Sequence, residues 1–346
     1  AAFTASADWP QWRGPNRNGL VVGNVPLLNT FPEDGPRQLW KSEPIPSNDD
    51  GGHGSVIVAG NRVYMGIVWH SDKPSEKREL NDLVLRKLGY RNLDSSPELV
   101  KKMEEARMNL SPRLRGEKLK EWIDKWMEEN LTKSQKQSLP GWIGSRFKKG
   151  KAAIPYADLR RLGKNSGRVF PSGQALRKWL DDEGFSDLVK EQVIKTVPAS
   201  VRVAKDVVVC MDATTGKTLW KTEAPGVPTG RKSSSTPCVA GGKVFTAGST
   251  HAHCLDAITG KRLWSAELPS KGPASSFLVA GGKAFIMAGK LLAIDVKSGK
   301  EAWRSNEISA SSSSPVLWEN KEKQFLILNT RKNISCVNPA DGSIVW

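Results

Sequence analysis

The sequence predicts an all-β fold: a β-propeller of four-stranded antiparallel blades, with a mainly helical insertion in the first blade. Three observations predict it. An eleven-residue motif returns four times, as CMDATTGKTLW at 210–220, CLDAITGKRLW ending at Trp264, AIDVKSGKEAW ending at Trp303 and CVNPADGSIVW ending at Trp346. Its closing tryptophans lie 44, 39 and 43 residues apart, and a period of about 40 to 45 residues is that of one four-stranded blade. The second and third copies are directly preceded by two short β-prone runs around a Gly-Gly turn. Residues 72–200 instead show apolar positions at helical spacing.

Taken in order, the chain opens with AAFTASADWPQW, in which Ala5-Ser6-Ala7 fits the small-x-small site of a cleaved secretory signal. Residues 1–7 are therefore read as a signal-peptide remnant, with the mature chain starting near Asp8. Residues 8–71 hold an N-terminal segment and the first strands of blade one, GHGSVIVAGNRVYMGIVWH, about a Gly60-Asn61 turn. The third strand, DVVVCMDA, arrives only after residue 205. Between them, 77–90, 96–110, 116–131 and 172–184 read as helices, with Ser111-Pro112 and Ser172 as plausible starts. Leu119, Trp122, Ile123, Trp126 and Met127 fall on one helical face, which is the pattern of a packed core.

Residues 201–346 supply the rest of blade one and three further blades. In the second unit, STPCVA and KVFTAG flank Gly241-Gly242, where glycine provides positive φ for a two-residue hairpin. AHCLDA and KRLW flank AITGK, where a type I turn followed by glycine in the left-handed region closes the second hairpin. Asp212, Asp256 and Asp295 should accept backbone N–H bonds in that turn. Gly216, Gly260, Gly299 and Gly342 should supply its positive φ. The fourth copy carries Asn338 and Asp341 at the polar positions, and its first hairpin turn reads as longer. Stacking such sheets radially buries both faces. A large ring on each outer strand can then cover the neighbouring blade, so Trp40, Trp220, Trp264, Trp303 and Trp346 are read as blade-docking residues.

Composition narrows the function classes. With 38% hydrophobic and 25% charged residues the chain reads as globular, and no run of about 18 apolar residues could cross a bilayer. The net charge of +16 raises nucleic acid as a partner, but residues 72–200 already hold 28 Lys and Arg against 19 Asp and Glu. The excess is spread along the chain as a solvated basic surface, and no specific nucleic-acid site is expected. Cys210, Cys254 and Cys336 share one repeat position with Ala293, a small buried spot, so no framework disulfides are expected. His251 and His253 alternate on a strand, yet only His53 and His70 remain to complete a zinc site. Ser233 to Ser235 and Ser311 to Ser314 have no partner base in sequence and read as polar connections. No haem-attachment, Walker or dinucleotide motif is present. No catalytic residue, metal ligand or cofactor-binding residue is singled out.

The strand with D-A-x-T-G-K-x-x-W resembles the repeat of the pyrroloquinoline-quinone (PQQ)-type propellers, the superfamily of the quinoprotein alcohol dehydrogenases and of BamB. The likeness covers 8–71 and 201–346, and DWPQWRGPNRNG with LWKSEPI resembles the start of extracytoplasmic bacterial proteins with such repeats. It implies seven or eight blades, so this chain is expected to cover about half of a ring as a fragment of a longer protein. In an up-and-down blade the insertion and the long connections share one face, where binding is expected. Two functions follow. One is a non-catalytic binding or assembly scaffold, periplasmic or secreted, with a protein or cell-envelope partner and no cofactor. The other is a PQQ- and Ca-dependent alcohol or sugar dehydrogenase, which the resemblance alone implies.

Overall fold

The computed structural model describes residues 8–21, 29–45, 54–94, 96–228, 235–271, 273–330 and 333–346. The signal-remnant reading at 1–7, together with His53, Ser233 and Ser234, lies outside the described residues. The chain divides into two compact units, residues 1–71 with 202–346 and residues 72–201.

The first unit is a row of blades. Blade one joins β1 (Ile57–Ala59), β2 (Arg62–Pro74), β5 (Ser200–Asp212) and β6 (Thr218–Gly226) in that order, with β3 (Arg78–Leu80) and β4 (Arg168–Phe170) belonging to the other unit. Blade two runs β7 (Cys238–Ala240), β8 (Lys243–Ala247), β9 (His251–Asp256) and β10 (Arg262–Glu267). Blade three runs β11 (Leu278–Ala280), β12 (Lys283–Ala288), β13 (Lys290–Asp295) and β14 (Glu301–Arg304). The fourth sheet holds β15 (Val316–Asn320), β16 (Lys323–Asn329) and β17 (Ile334–Val337), with a bridge from Val337 to Ile344 where a fourth strand starts.

Alternation along the strands builds the interfaces, because successive side chains point to opposite faces. In β8, Val244 packs with Ile57, Tyr64, Val208 and Cys210 of blade one. Its neighbours Phe245 and Ala247 pack with Ala284, Ile286 and Ala288 of blade three and with Phe277 just ahead of it. Phe285 and Met287 in turn meet Leu326 and Leu328 of the fourth sheet. Each blade is thus the core of the next, as stacked repeats require. The four cysteines are free and buried.

The first hairpin turn of the fourth unit differs from its expectation. Asn320 pairs with Lys323, so the turn is two residues, as in blade two where Ala240 pairs with Lys243. The strands are longer instead. Lys321 and Glu322 take φ of 47° and 64°, so side-chain-bearing residues accept the left-handed geometry that a two-residue hairpin demands.

The second unit is helical around one apolar core. It contains α1 (Asp82–Leu88), α2 (Pro97–Met108), α3 (Gly116–Asn130), α4 (Lys133–Ser138), α5 (Pro140–Lys149), α6 (Tyr156–Gly163), α7 (Gly173–Asp182) and α8 (Asp187–Thr196). β3 (Arg78–Leu80) pairs antiparallel with β4 (Arg168–Phe170). Two expectations are corrected here. The segment from 77 does not open as helix, because Arg78 to Leu80 pair with β4, and Asn81 caps α1 by accepting from Val84 N–H. Ser111 does not start α3; its Oγ accepts from Arg113 N–H in a local turn, and the helix begins at Gly116. Ser172 does cap α7, accepting from Ala175 N–H at 3.2 Å. α5 carries Gly141 and Gly144, which weaken its helical signal in the sequence. Trp122 and Trp126 of α3 meet Phe147 of α5 edge-on, with ring centroids 5.1 and 4.9 Å apart.

Candidate functional site

The polar groups of the first unit fall into two belts. In the outer belt, Trp40 Nε1 donates to Ala213 O at 2.9 Å, Trp220 Nε1 to Ala257 O at 3.3 Å, Trp264 Nε1 to Val296 O at 3.1 Å and Trp303 Nε1 to Pro339 O at 3.0 Å. All four acceptors occupy one repeat position, just after the turn Asp or Asn. Each indole also lies over the turn glycine of the repeat that follows. A Cβ on Gly260 would come within 2.5 Å of Trp220, one on Gly299 within 2.7 Å of Trp264 and one on Gly342 within 2.6 Å of Trp303; on Gly216 it would overlap Trp40. The turn glycines therefore answer two demands, a φ near +70° to +80° and a flat surface for a ring.

Trp346 departs from this arrangement and is a correction. It is 58% exposed, because no turn among the described residues lies over it, and its carbonyl accepts from Cys336 N–H at 3.0 Å.

Each turn carboxylate bonds its own turn through one oxygen. Asp212 Oδ1 accepts from the N–H of Thr214 and Thr215 and from the Thr215 hydroxyl at 2.8–3.0 Å. Asp256 and Asp295 repeat the pattern with Ile258, Thr259, Lys297 and Ser298. In the fourth turn Asn338 accepts from Ala340 N–H, while Asp341 accepts from the N–H and hydroxyl of Ser343. Hydrogen bonds from the backbone N–H and hydroxyl of Thr215, Thr259 and Ser298 hold the three repeated carboxyls below the ordinary carboxylate range. A depressed folded-state pKa gives stability that is present above the ordinary value and lost as pH falls through the folded one. Wild type is expected to lose thermal stability more steeply below about pH 4 than the D212N/D256N/D295N variant. Parallel melting curves across that range would reject these bonds as stabilising.

An inner belt, which the sequence did not announce as such, joins the start of each blade. Ser55 N–H donates to Thr236 Oγ1 at 3.0 Å, Thr236 N–H to Ser276 Oγ at 3.0 Å and Ser276 N–H to Ser314 Oγ at 3.1 Å. These residues share one repeat position, ahead of the first strand of each blade. Of the serine runs read as connections, Ser314 ends this ladder, and Ser235 Oγ adds a bond to Ser275 O at 2.8 Å. The signal was present: a hydroxyl residue recurs four places before the end of GSVIVA, STPCVA, SSFLVA and SPVLW.

Blades one and two share a further buried lock. Asp206 Oδ2 meets His253 Nε2 at 3.1 Å, His253 Nδ1 meets Ser265 Oγ at 2.8 Å, and Asp206 Oδ1 accepts from Ser249 N–H at 2.7 Å. His253 thus bridges the Asp206 carboxyl group of blade one and the Ser265 hydroxyl of blade two through its two ring nitrogens. A Cβ on Gly248 would overlap Asp206, which explains the glycine there. His251 stacks beside His253 with centroids 6.2 Å apart and bonds Thr250 instead. His70 lies in β2 and is buried.

The N-terminal segment crosses the first strands. Trp9 bridges to Val58 of blade one, Pro10 O accepts from Val239 N–H of blade two, and Arg17 Nη1 donates to Phe277 O, next to blade three, at 2.6 Å. Ca²⁺ takes about six to eight oxygen ligands, with carboxylates prominent. Among the described residues no group of three His, Cys, Asp or Glu side chains is placed to hold a metal.

A family model described as "Outer membrane protein assembly factor BamB" matches residues 204–346. Among solved structures, BamB from Moraxella catarrhalis is similar at 16% identity and a TM-score of 0.33, over 43% of this chain and 47% of that one. A quinohemoprotein alcohol dehydrogenase from Pseudomonas putida matches at 19% identity and 0.30, over 42% and 32%. A europium-containing methanol dehydrogenase matches at 15% identity and 0.34, over 42% and 39%. The chain spans less than half the length of each of these structures. No curated protein matches it. No helix among the described residues is long and apolar enough to cross a membrane. With the repeated turn, the tryptophan belt and the matched family model together, residues 204–346 are PQQ-type repeats that build propeller blades.

Proposed function

We propose that the chain is a non-catalytic binding or assembly scaffold that works outside the cytoplasm. It would hold a protein or cell-envelope partner on the face that carries its long inter-blade connections. The observation that carries this reading is where the repeats spend their polar groups. The turn carboxylates, the indole N–H groups and the hydroxyls ahead of each first strand all hold one blade to itself or to the next. A scaffold needs that rigidity and leaves recognition to loops. The description of the matched family model, an outer-membrane assembly factor, agrees with this reading, and the Ala5-Ser6-Ala7 pattern supports export.

The test is a titration of the purified full chain with pyrroloquinoline quinone, with and without Ca²⁺, read by quinone absorbance and by dye reduction with alcohols and sugars. We expect neither saturable binding nor turnover. We also expect the mature protein, recovered from the envelope or extracellular fraction, to begin near Asp8. Saturable quinone binding with substrate-dependent dye reduction would replace the scaffold by an oxidoreductase, and recovery from the cytoplasm with residues 1–7 intact would remove the export part.

A further inference from the structure

Arg17 is the one buried Arg or Lys side chain among the described residues of the first unit. It comes from the loop WRGPNRNG, is 3% exposed and takes φ of +54°. A positive φ on a non-glycine residue costs energy and persists only where the surroundings impose it. Here Gly14 N–H bonds Gln11 O, Arg17 N–H bonds Gly14 O and Gly19 N–H bonds Arg13 O, which winds the loop tightly. The coil aims one long side chain inward.

The guanidinium is only half used. Nη1 donates to Phe277 O at 2.6 Å and to Gln11 Oε1 at 3.1 Å. Nε and Nη2 are buried with no hydrogen-bond partner, and no carboxylate among the described residues pairs with Arg17. Trp12 lies 5.5 Å from the guanidinium carbon and offers a ring face, not an acceptor. Burial pushes the guanidinium down to about 10, a range in which it is still charged at neutral pH. A buried charge without a counter-charge is destabilising.

The two unpartnered donors are neighbours. Nε–H and Nη2–H form the side-on fork of arginine, whose parallel N–H bonds match two oxygens of one carboxylate or phosphate. Both loose ends therefore point to one ligand, and its chemistry is fixed by their geometry. We propose that Arg17 is the anchor of an oxyanion site beside the first strands of blades two and three, taking one carboxylate or phosphate group on Nε and Nη2. Gln11 and Phe277 O hold the opposite edge of the guanidinium and set its plane. The site is independent of the scaffold reading, since either a scaffold or an enzyme could carry it.

The test is thermal melting and calorimetric titration of the full chain at fixed ionic strength, with chloride replaced stepwise by inorganic phosphate in one arm and by acetate in another. We expect a saturable rise in melting temperature with at least one of the two, and the responding arm tells the phosphate source from the carboxylate source. R17K keeps a charge without the fork and is expected to weaken binding at least tenfold. R17M is expected to abolish the response while melting no lower than wild type in chloride, because it removes an uncompensated charge. Asp49 and Asp50 lie outside the described residues, so D49N/D50N is the remaining arm, and it should respond as wild type does. A response to neither anion, an equal response in R17M, or a response that appears only in D49N/D50N would overturn the proposal.

Discussion

Replacing Trp264 by alanine is expected to destabilise the blades by about 3 to 5 kcal/mol, the range for truncating a large buried aromatic side chain. The ring is 9% exposed, donates to Val296 O and lies over Gly299. It also meets Phe245, with centroids 6.0 Å apart. Its removal therefore opens the seam between blades two and three from both sides. The mirror variant Gly299→Val should do similar damage by another route. A side chain there would meet the indole and would have to hold φ of +72°. Leu263→Ala is the control, since Leu263 is the preceding residue on the same strand and is 45% exposed. Urea unfolding followed by far-ultraviolet circular dichroism compares them; if W264A shifts the midpoint no further than L263A, the indole belt is not what joins the blades.

Glu104→Ala is expected to cost the helical unit about 3 to 5 kcal/mol, the range for leaving a buried charge without its partner. Glu104 of α2 receives Arg107 Nη2 at 2.7 Å, Arg146 Nη2 at 2.6 Å and Tyr156 N–H at 3.1 Å. Both arginines are almost wholly buried, with side chains 1% and 4% exposed. Burial alone would push the Glu104 carboxyl up, yet the hydrogen bonds from Arg107 and the charge of Arg146 hold it below the ordinary range. Its contribution is therefore present at neutral pH and lost as pH falls through the depressed value. E104Q keeps the shape but not the charge and should fall between wild type and E104A. The helical signal at 222 nm during thermal unfolding reads the difference, and an E104A melting temperature equal to wild type would show the cluster to be idle.

The docking role of Trp264 was legible in the sequence, but the group it docks on and the cluster at Glu104 were not. The tryptophans and glycines were visible, but the facts that Trp264 lies on Gly299, that Thr236 bonds Ser276 and that Arg17 reaches Phe277 join residues 35, 40 and 260 positions apart. Asp206 gave no signal, and His253 stood out only beside His251 as a metal-like pair, not as the partner of Asp206 across two blades. In the helical insertion, α3 and α7 showed their period, whereas α5 with its two glycines did not. The cluster at Glu104 drew no notice because a charged residue on a helix is ordinarily solvated.

The sequence by itself determined the repeat, and with it the strands, the turns and the order of the blades, because those depend on local rules: alternation at period two, positive φ at glycine, and a fixed spacing between copies. Only the tertiary structure decided which group each polar side chain would meet, which tryptophan would stay exposed and which arginine would be buried half-satisfied. Local preferences act within a few residues, whereas burial and pairing across blades are set by how whole sheets stack, and that is a property of neighbours distant in the chain.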